Sequence, residues 1–324
     1  MFDIIVIGGG ISGVSAAVSA SKQGAKVLIV EKNTYLGGTA TGALVTPMMK
    51  NALKSGENLS SGFYTELLNE LSKTGNSAIF KDNNPGWFNP EIMKCALDDL
   101  CQKYGVKVIF DTVITDIQKQ NKKIVSVDTL FNGIKKTYYA KYFIDASGNA
   151  DLAALAGCEF TSGLNGQNQA MTLRFNLSGV DLKTFAEFLE EIDPDSDISP
   201  VMYLENGEIL LSTAYTNQPK GWKLKPYFDK AVKDGILDES DTAYFQIFSI
   251  PGQNSSIALN CPRISSEKPL NPLDVDDVSY ALIQGRKQIR KLTDLCVKYL
   301  PGVELAYIST IAPMLGVRDS RRVI

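Results

Sequence analysis

The sequence predicts an α/β protein: a parallel sheet extended by a β-meander, followed by a second part of α+β character. Three observations carry this. An apolar strand, a glycine bend, a small-residue helix and a second apolar strand succeed one another within residues 3–30. Short strands cluster at 106–144 around Asn132-Gly133, the strongest short-range hairpin signal. Beyond about residue 158 the pattern changes to period-two stretches separated by Pro and Asp.

Taken in order, residues 3–7 (DIIVI) are a short β-branched run, as expected of a strand buried on both faces. Gly8-Gly9-Gly10 stops it, a helix is predicted over 11–23, Gly24 ends that helix, and 26–30 (KVLIV) form the second strand. This is the βαβ unit that opens a doubly wound domain. A Gly- and Thr-rich loop follows at 33–48, then helices near 60–73 and 90–104, the latter entered after Pro90. Strands are predicted at 106–110, 112–118, 123–130 and 134–144, with a helix at 149–156. The second part holds period-two segments at 169–177 and 208–215, a long amphipathic helix at 272–299 with Leu282, Ile289, Leu292, Leu295 and Cys296 near one face, and a strand near 303–310. The expected domains are 1–157 with 303–324, and 158–302.

Composition narrows the chemistry. The 324 residues allow two or three domains, and the net charge of −3 argues against a nucleic-acid partner. Histidine is absent, which removes Ser-His-Asp and Cys-His nucleophiles, a His-ligated zinc and a His base. Cys95, Cys101, Cys158, Cys261 and Cys296 form no C-x-x-C pair or metal spacing, so no metal is expected and a reduced, intracellular setting fits. Residues 4–21 carry no charge, but glycines and serines interrupt them and no basic cluster precedes them. Neither a membrane span nor a signal peptide is expected, and the reading is cytoplasmic.

Gly8-Gly9-Gly10-Ile11-Ser12-Gly13 satisfies G-x-G-x-x-G. Gly8 permits the tight turn, Gly10 lets a pyrophosphate approach the backbone, and Gly13 lets the helix lie on the sheet. The helix start, Ser12 included, offers free N–H groups to phosphate. Glu31 closes the second strand 18 residues after Gly13, where a carboxylate accepts hydrogen bonds from adenosine ribose hydroxyls. Together these predict a bound dinucleotide.

The stretch Glu31-Lys32, then Leu36-Gly37-Gly38-Thr39-Ala40-Thr41, resembles the extended N-terminal signature of FAD-binding flavoproteins of the glutathione-reductase-like Rossmann type. Tyr142-Phe143-Ile144-Asp145-Ala146-Ser147-Gly148 is similar to the second fingerprint of that group, and Val113 matches the position whose backbone meets adenine. A narrower resemblance rests on Asn149–Gly157, Met171–Phe175 and Gly316–Arg322, which look like the FAD-dependent oxidoreductases related to HdrA-type and fumarate-reductase-type flavoproteins. The resemblance implies a Rossmann-like FAD-binding domain with a substrate or cap domain. It implies FAD held by Gly8, Gly10, Ser12, Gly13, Glu31, Lys32, Gly37, Gly38, Thr39, Thr41, Val113, Ala146 and Gly148. Relatives carry a further strand and Gly-rich turn after the Gly316–Arg322 segment, so a C-terminal truncation is expected at Ile324.

Arg174 and Arg318 are the candidate catalytic residues. Arg174 interrupts an apolar strand, where a guanidinium needs a carboxylate, phosphate or flavin oxygen, an outward position or an interface acid. Arg318, Arg321 and Arg322 either stabilise reduced flavin, bind an acidic substrate or form an exposed basic turn. Asp151 reads as a helix-start stabiliser, and Tyr215, Tyr244, Trp87 and Phe88 as core or pocket aromatics. A second G-x-G-x-x-G, a redox dithiol and iron–sulfur spacings are all missing. Electrons are therefore expected to pass between FAD and a small-molecule substrate, NAD(P)H visiting the same cleft, or a redox partner protein. Hydride transfer at flavin N5 is the leading reading. An FAD-binding subunit or remnant without activity of its own, and an NAD-linked dehydrogenase with a single Rossmann unit, are the alternatives.

Overall fold

Strand β1 (Phe2–Ile7) lies parallel to β2 (Val27–Val30), with Ile4 opposite Val27 and Ile7 opposite Val30. Between them runs α1 (Ile11–Lys22), whose buried face is Gly13, Val14, Ala17 and Val18. These small side chains let the helix lie close against the strands. The computed structural model describes residues 1–324 except 50–52, 54, 56, 58, 166, 215–220 and 265. After β2 come the single turn α2 (Thr39–Gly42), α3 (Phe63–Ser72), the pair β3 (Ser77–Ala78) and β4 (Trp87–Phe88), and α4 (Pro90–Lys103). Helix α4 starts where Asn89 accepts from the Glu91 N–H and Pro90 needs no donor partner.

The first sheet is completed by β5 (Lys107–Ile109), β6 (Val113–Gln120), β7 (Lys123–Phe131) and β8 (Ile134–Asp145), in the order β5-β2-β1-β8-β7-β6. Strands β5, β2, β1 and β8 are parallel, and the antiparallel β6–β8 meander turns at Asn132-Gly133. Alternation along the strands divides the core in two. Val6, Val27 and Ile29 pack against α1, α3 and α4, whereas Ile5, Ile7, Leu28 and Val30 pack with Val127 and Leu152 on the other face.

The chain then passes α5 (Asp151–Leu155) and β9 (Phe160–Ser162) into a second sheet. Its elements are β10 (Phe175–Ser178), α6 (Leu182–Ile192), β11 (Val201–Tyr203), β12 (Ile209–Ala214), α7 (Lys225–Lys233), β13 (Gln246–Ile250), β14 (Gln253–Leu259), α8 (Val275–Tyr299) and β15 (Tyr307–Ile311). The order β11-β12-β13-β14-β10-β15 is antiparallel throughout. Helix α8 buries Ala281, Gly285, Ile289, Leu292, Leu295 and Cys296, and Asp274 caps its start. Last comes β16 (Arg321–Val323), paired with β9.

Two expectations need correction. The strand expected near 303–310 is β15, and it belongs to the second sheet, because Tyr307 and Ile311 sit opposite Ser178 and Phe175 of β10. The tail from 303 therefore does not return wholly to the first domain. The 169–177 segment is regular only from Phe175, since Thr172 makes isolated bridges to Arg263 and Gly316. Among the described residues, no helix is long and apolar enough to cross a membrane.

Two outcomes follow from this packing. Leu292 is fully buried, so Leu292→Ala should lower unfolding free energy by about 2–5 kcal/mol, read as a lower urea midpoint. Glu66 of α3 binds Lys22 at the end of α1 and both Lys103 and Tyr104 at the end of α4. Burial alone would raise its carboxyl, but hydrogen bonds from Lys22, Tyr104 and Lys103 outweigh that and hold it down to about 2. A depressed carboxyl contributes stability that is present above its unfolded value and lost as pH falls toward about 2. Glu66→Gln should therefore flatten the loss of stability on acidification below about pH 4.5, measured by denaturant titration at stepped pH.

Candidate functional site

The glycine bend is shaped by what cannot fit there. Gly8 has φ +99°, and a Cβ on it would fall 2.3 Å from the Ala146 carbonyl oxygen. A Cβ on Gly13 would fall 2.0 Å from the Gly8 oxygen, so α1 touches the bend directly. Gly10 is different: a Cβ there would meet only the Gly38 Cα, at 3.9 Å, and no side chain caps α1. Among the described residues the first N–H groups of α1 thus have neither intrahelical nor side-chain acceptors, and Gly10, Ile11 and Ser12 line an open cleft. Gly37 bridges Gly10, and its N–H donates to the Gly9 carbonyl at 2.8 Å, bringing the two glycine loops together.

Glu31 is 3% exposed and does more than the ribose role expected of it. Its Oε2 accepts from the Gly9 N–H at 2.5 Å, and Oε1 accepts from the backbone and side-chain nitrogens of Asn33, both at 2.7 Å. The carboxylate therefore ties the bend to the end of β2 while lining the cleft. Across the cleft, the Ala146 N–H continues the β1–β8 ladder to Ile7, and Gly148 (φ +81°) leaves open space where a side chain would stand. Asp145 organises this turn: Oδ1 accepts from the Ser147 N–H and hydroxyl, and Oδ2 from the Ala153 N–H.

The other wall comes from the C-terminal stretch. The Met314 N–H donates to Gly42, and Gly316 and Thr172 exchange backbone hydrogen bonds. The Ser320 hydroxyl donates to the Gly148 carbonyl at 3.4 Å, and Arg321 Nη1 donates to the Asn149 carbonyl and pairs with Asp151 Oδ1 at 2.8 Å. Asp151 thus opens α5 and also fastens this stretch.

The result is one cleft of about 1100 Å³. It gathers Gly8, Gly10, Ser12, Glu31, Lys32, Gly37, Gly38, Thr39, Val113, Ala146, Gly148 and Arg318. Three expected residues stand outside its wall. Gly13 acts through the α1 contact just described. Thr41 is buried and its hydroxyl donates to the Leu36 carbonyl at 2.6 Å, holding the loop from within. Arg174 precedes β10, neither on an edge strand nor beside an acid. Its Nε donates to Asn260 Oδ1 at 2.9 Å and its Nη1 to the carbonyls of Leu44 and Thr46 at 2.8 and 2.9 Å. Burial lowers its guanidinium to about 10, with Arg318 pressing the same way, so it stays charged near neutrality.

Trp87 and Phe88 are core residues, and Trp87 stacks on Phe80. Tyr244 accepts from the Asn260 amide at 3.0 Å, and Tyr215 lies outside the described residues. Sequence reasoning missed Asn33, Thr112, Ser147 and the α8 residues Val278 and Leu282 that also line the cleft. The loop Asn two residues after Glu31 and the Thr immediately before β6 were the available signals for the first two. Among the described residues, no group of His, Cys, Asp or Glu is arranged to hold a metal.

A parallel-sheet glycine bend, a buried acid after the second strand and a meander-fed small-residue turn define a Rossmann-type dinucleotide-binding flavoprotein. Residues 3–324 match the family described as FAD dependent oxidoreductase, so the chain belongs to that family and its cofactor is FAD. The NAD-only alternative is overturned by this membership. The soluble pyridine nucleotide transhydrogenase of Chromohalobacter salexigens is 30% identical over 113 residues, 34% of this chain and 21% of that protein. The aerobic glycerol-3-phosphate dehydrogenase of Staphylococcus saprophyticus is 34% identical over 92 residues, 28% of this chain and 15% of that protein. These matches therefore cover about a fifth or less of the relatives' own length. In fold, the chain is similar to the myxobacterial chondrochloren halogenase CndH (TM-score 0.55, 14% identity, 98% of this chain and 64% of that one). It is also similar to a geranylgeranyl bacteriochlorophyll reductase-like protein of Thermoplasma acidophilum (TM-score 0.53, 17% identity, 99% and 66%).

Gly13→Val should expel FAD, since the side chain would drive α1 off the bend. Expected is a colourless purified protein with retained helix content, checked by the visible spectrum and by circular dichroism.

Proposed function

We propose that this FAD-dependent oxidoreductase transfers a hydride between flavin N5 and a small organic molecule bound in the same cleft. The observation that carries the reading is continuity. One cavity runs from the glycine bend and Glu31 to Arg318 and the apolar side of α8. The bend fits FAD because Gly10 and Gly148 leave space where side chains would stand and the first N–H groups of α1 lack partners among the described residues.

In this reading the N–H groups of Gly10, Ile11 and Ser12 receive the pyrophosphate, where the α1 dipole favours negative charge. Glu31, already oriented by Gly9 and Asn33, offers a remaining oxygen lone pair to the ribose, and Lys32 flanks it. The backbone at Val113 faces adenine, while Gly37, Gly38 and Thr39 lead along the cofactor, with Ala146 and Gly148 across from them. The flavin supplies two-electron chemistry; the protein supplies orientation and electrostatics. Arg318 serves as the cation at the substrate end, while Arg174, outside the cleft wall, fastens the 44–46 loop beside the second sheet. Protons at that end pass through a carboxylate, an arginine-ordered water or the substrate itself, because the chain has no histidine. NAD(P)H or a redox protein is the counter-substrate.

Anaerobic titration of the FAD-loaded protein with NADH, NADPH and a panel of organic reductants tests this. Bleaching of the flavin absorbance in a single two-electron phase is expected with at least one of them. Complete inertness, with FAD bound, would instead favour a cofactor-binding subunit without activity of its own.

A further inference from the structure

Arg321 belongs to β16, where pairing with β9 sets it opposite Ser162, and its side chain lines the cleft. The guanidinium is held through one nitrogen: Nη1 donates to the Asn149 carbonyl at 2.9 Å and to Asp151 Oδ1 at 2.8 Å. Its Cζ lies over the Phe160 ring, 5.4 Å from the centroid. Nε is buried and has no acceptor among the described residues, and Nη2 has none either. These two nitrogens share one edge of the planar group, so their N–H bonds form a parallel pair of unused donors. A buried donor left without an acceptor is costly, and a charged one more so.

The position of that edge narrows what can satisfy it. Arg321 is bonded to the turn that meets the glycine bend. A Cβ on Gly8 would fall 2.8 Å from the Ser147 Cα, and the carbonyl that Arg321 holds is that of Asn149, two residues on. Between them, Gly148 accepts from Ser320 and leaves open space where a side chain would stand. The cleft's carboxylates are engaged elsewhere: Glu31 serves Gly9 and Asn33, Asp319 serves the Gln169 N–H, and Asp151 takes only Nη1. Lys32, Arg318, Arg321 and Arg322 line the cleft against Glu31, Asp151 and Asp319, so positive charge is in excess until an anion enters.

We infer that Arg321 is a cofactor-binding residue: its Nε–Nη2 edge takes oxygens of the FAD diphosphate, and Asp151 with the Asn149 carbonyl orients it. The inference rests on the seat given to the diphosphate at the glycine bend, and not on the hydride reading. A guanidinium edge matches phosphate oxygens in two parallel hydrogen bonds, which an ammonium cannot copy.

Release of FAD from the loaded protein, followed by the return of flavin fluorescence at stepped sodium chloride, gives the test. Arg321→Gln should speed release by about 10- to 100-fold. The side chain is 22% exposed, so salt reaches the contact: release from the unsubstituted protein should quicken with salt, and that from Arg321→Gln much less. Arg321→Lys keeps the charge without the fork and should recover part of the loss; it also serves where the glutamine variant does not fold. Asp151→Asn separates binding from fastening. It breaks the ion pair but leaves the cation, so it should cost less than Arg321→Gln and keep the salt response. Equal loss in Arg321→Gln and Asp151→Asn overturns the assignment and leaves Arg321 a fastener. So does release from Arg321→Gln that is no faster than from the unsubstituted protein. If instead Gly13→Val keeps its FAD, the diphosphate seat at the bend falls, and this contact with it.

Discussion

The site depends on one close contact, the approach of α1 to the bend that precedes it. With only 2.0 Å between a hypothetical Gly13 Cβ and the Gly8 oxygen, any side chain would push the helix outward. The helix start would then no longer face the cleft, and Gly9 would leave the Glu31 carboxylate that fixes it at 2.5 Å. Glu31 converts a flexible glycine run into a rigid ledge, since its two oxygens bind backbone on both sides of the crevice entrance. Every other feature of the nucleotide end is arranged around that ledge.

The arginines of the second half follow a different logic. Arg321 is paired with Asp151 and used as a fastener, whereas the hydrogen-bond partners of Arg174 among the described residues are neutral oxygens of Asn260, Leu44 and Thr46. The same residue type thus takes different structural parts according to its partners.

How much of this was legible beforehand differs between the two ends. The β1–α1–β2 unit, the meander with its Asn132-Gly133 turn, and the residues Gly8, Gly10 and Glu31 follow from local rules of backbone freedom, burial and strand alternation, whereas Gly148 came from the resemblance of its segment to a known fingerprint. Helix α6 was legible but unread: Asp181 accepts from two N–H groups at its start, and Leu182, Phe185, Ala186 and Leu189 recur at helical spacing. Likewise, Pro251-Gly252 marks the turn between β13 and β14. The partner of β15 and the α8 lining were not legible, because sheet membership and helix apposition are decided by pairings far apart in the chain. Arg174 shows the limit clearly. Its oddity in an apolar stretch was visible, but its neutral acceptors at Leu44 and Thr46 lie about 130 positions upstream.

The stretch from Met314 to Arg321 is bonded at one end to Gly42 and Thr172 and at the other to Gly148 and Asp151. It ties the Thr172 segment that leads into the second sheet to the Gly148 turn at the end of the first. Any molecule that enters the cleft therefore passes along a wall whose two ends are tied down by hydrogen bonds rather than left as a loose tail.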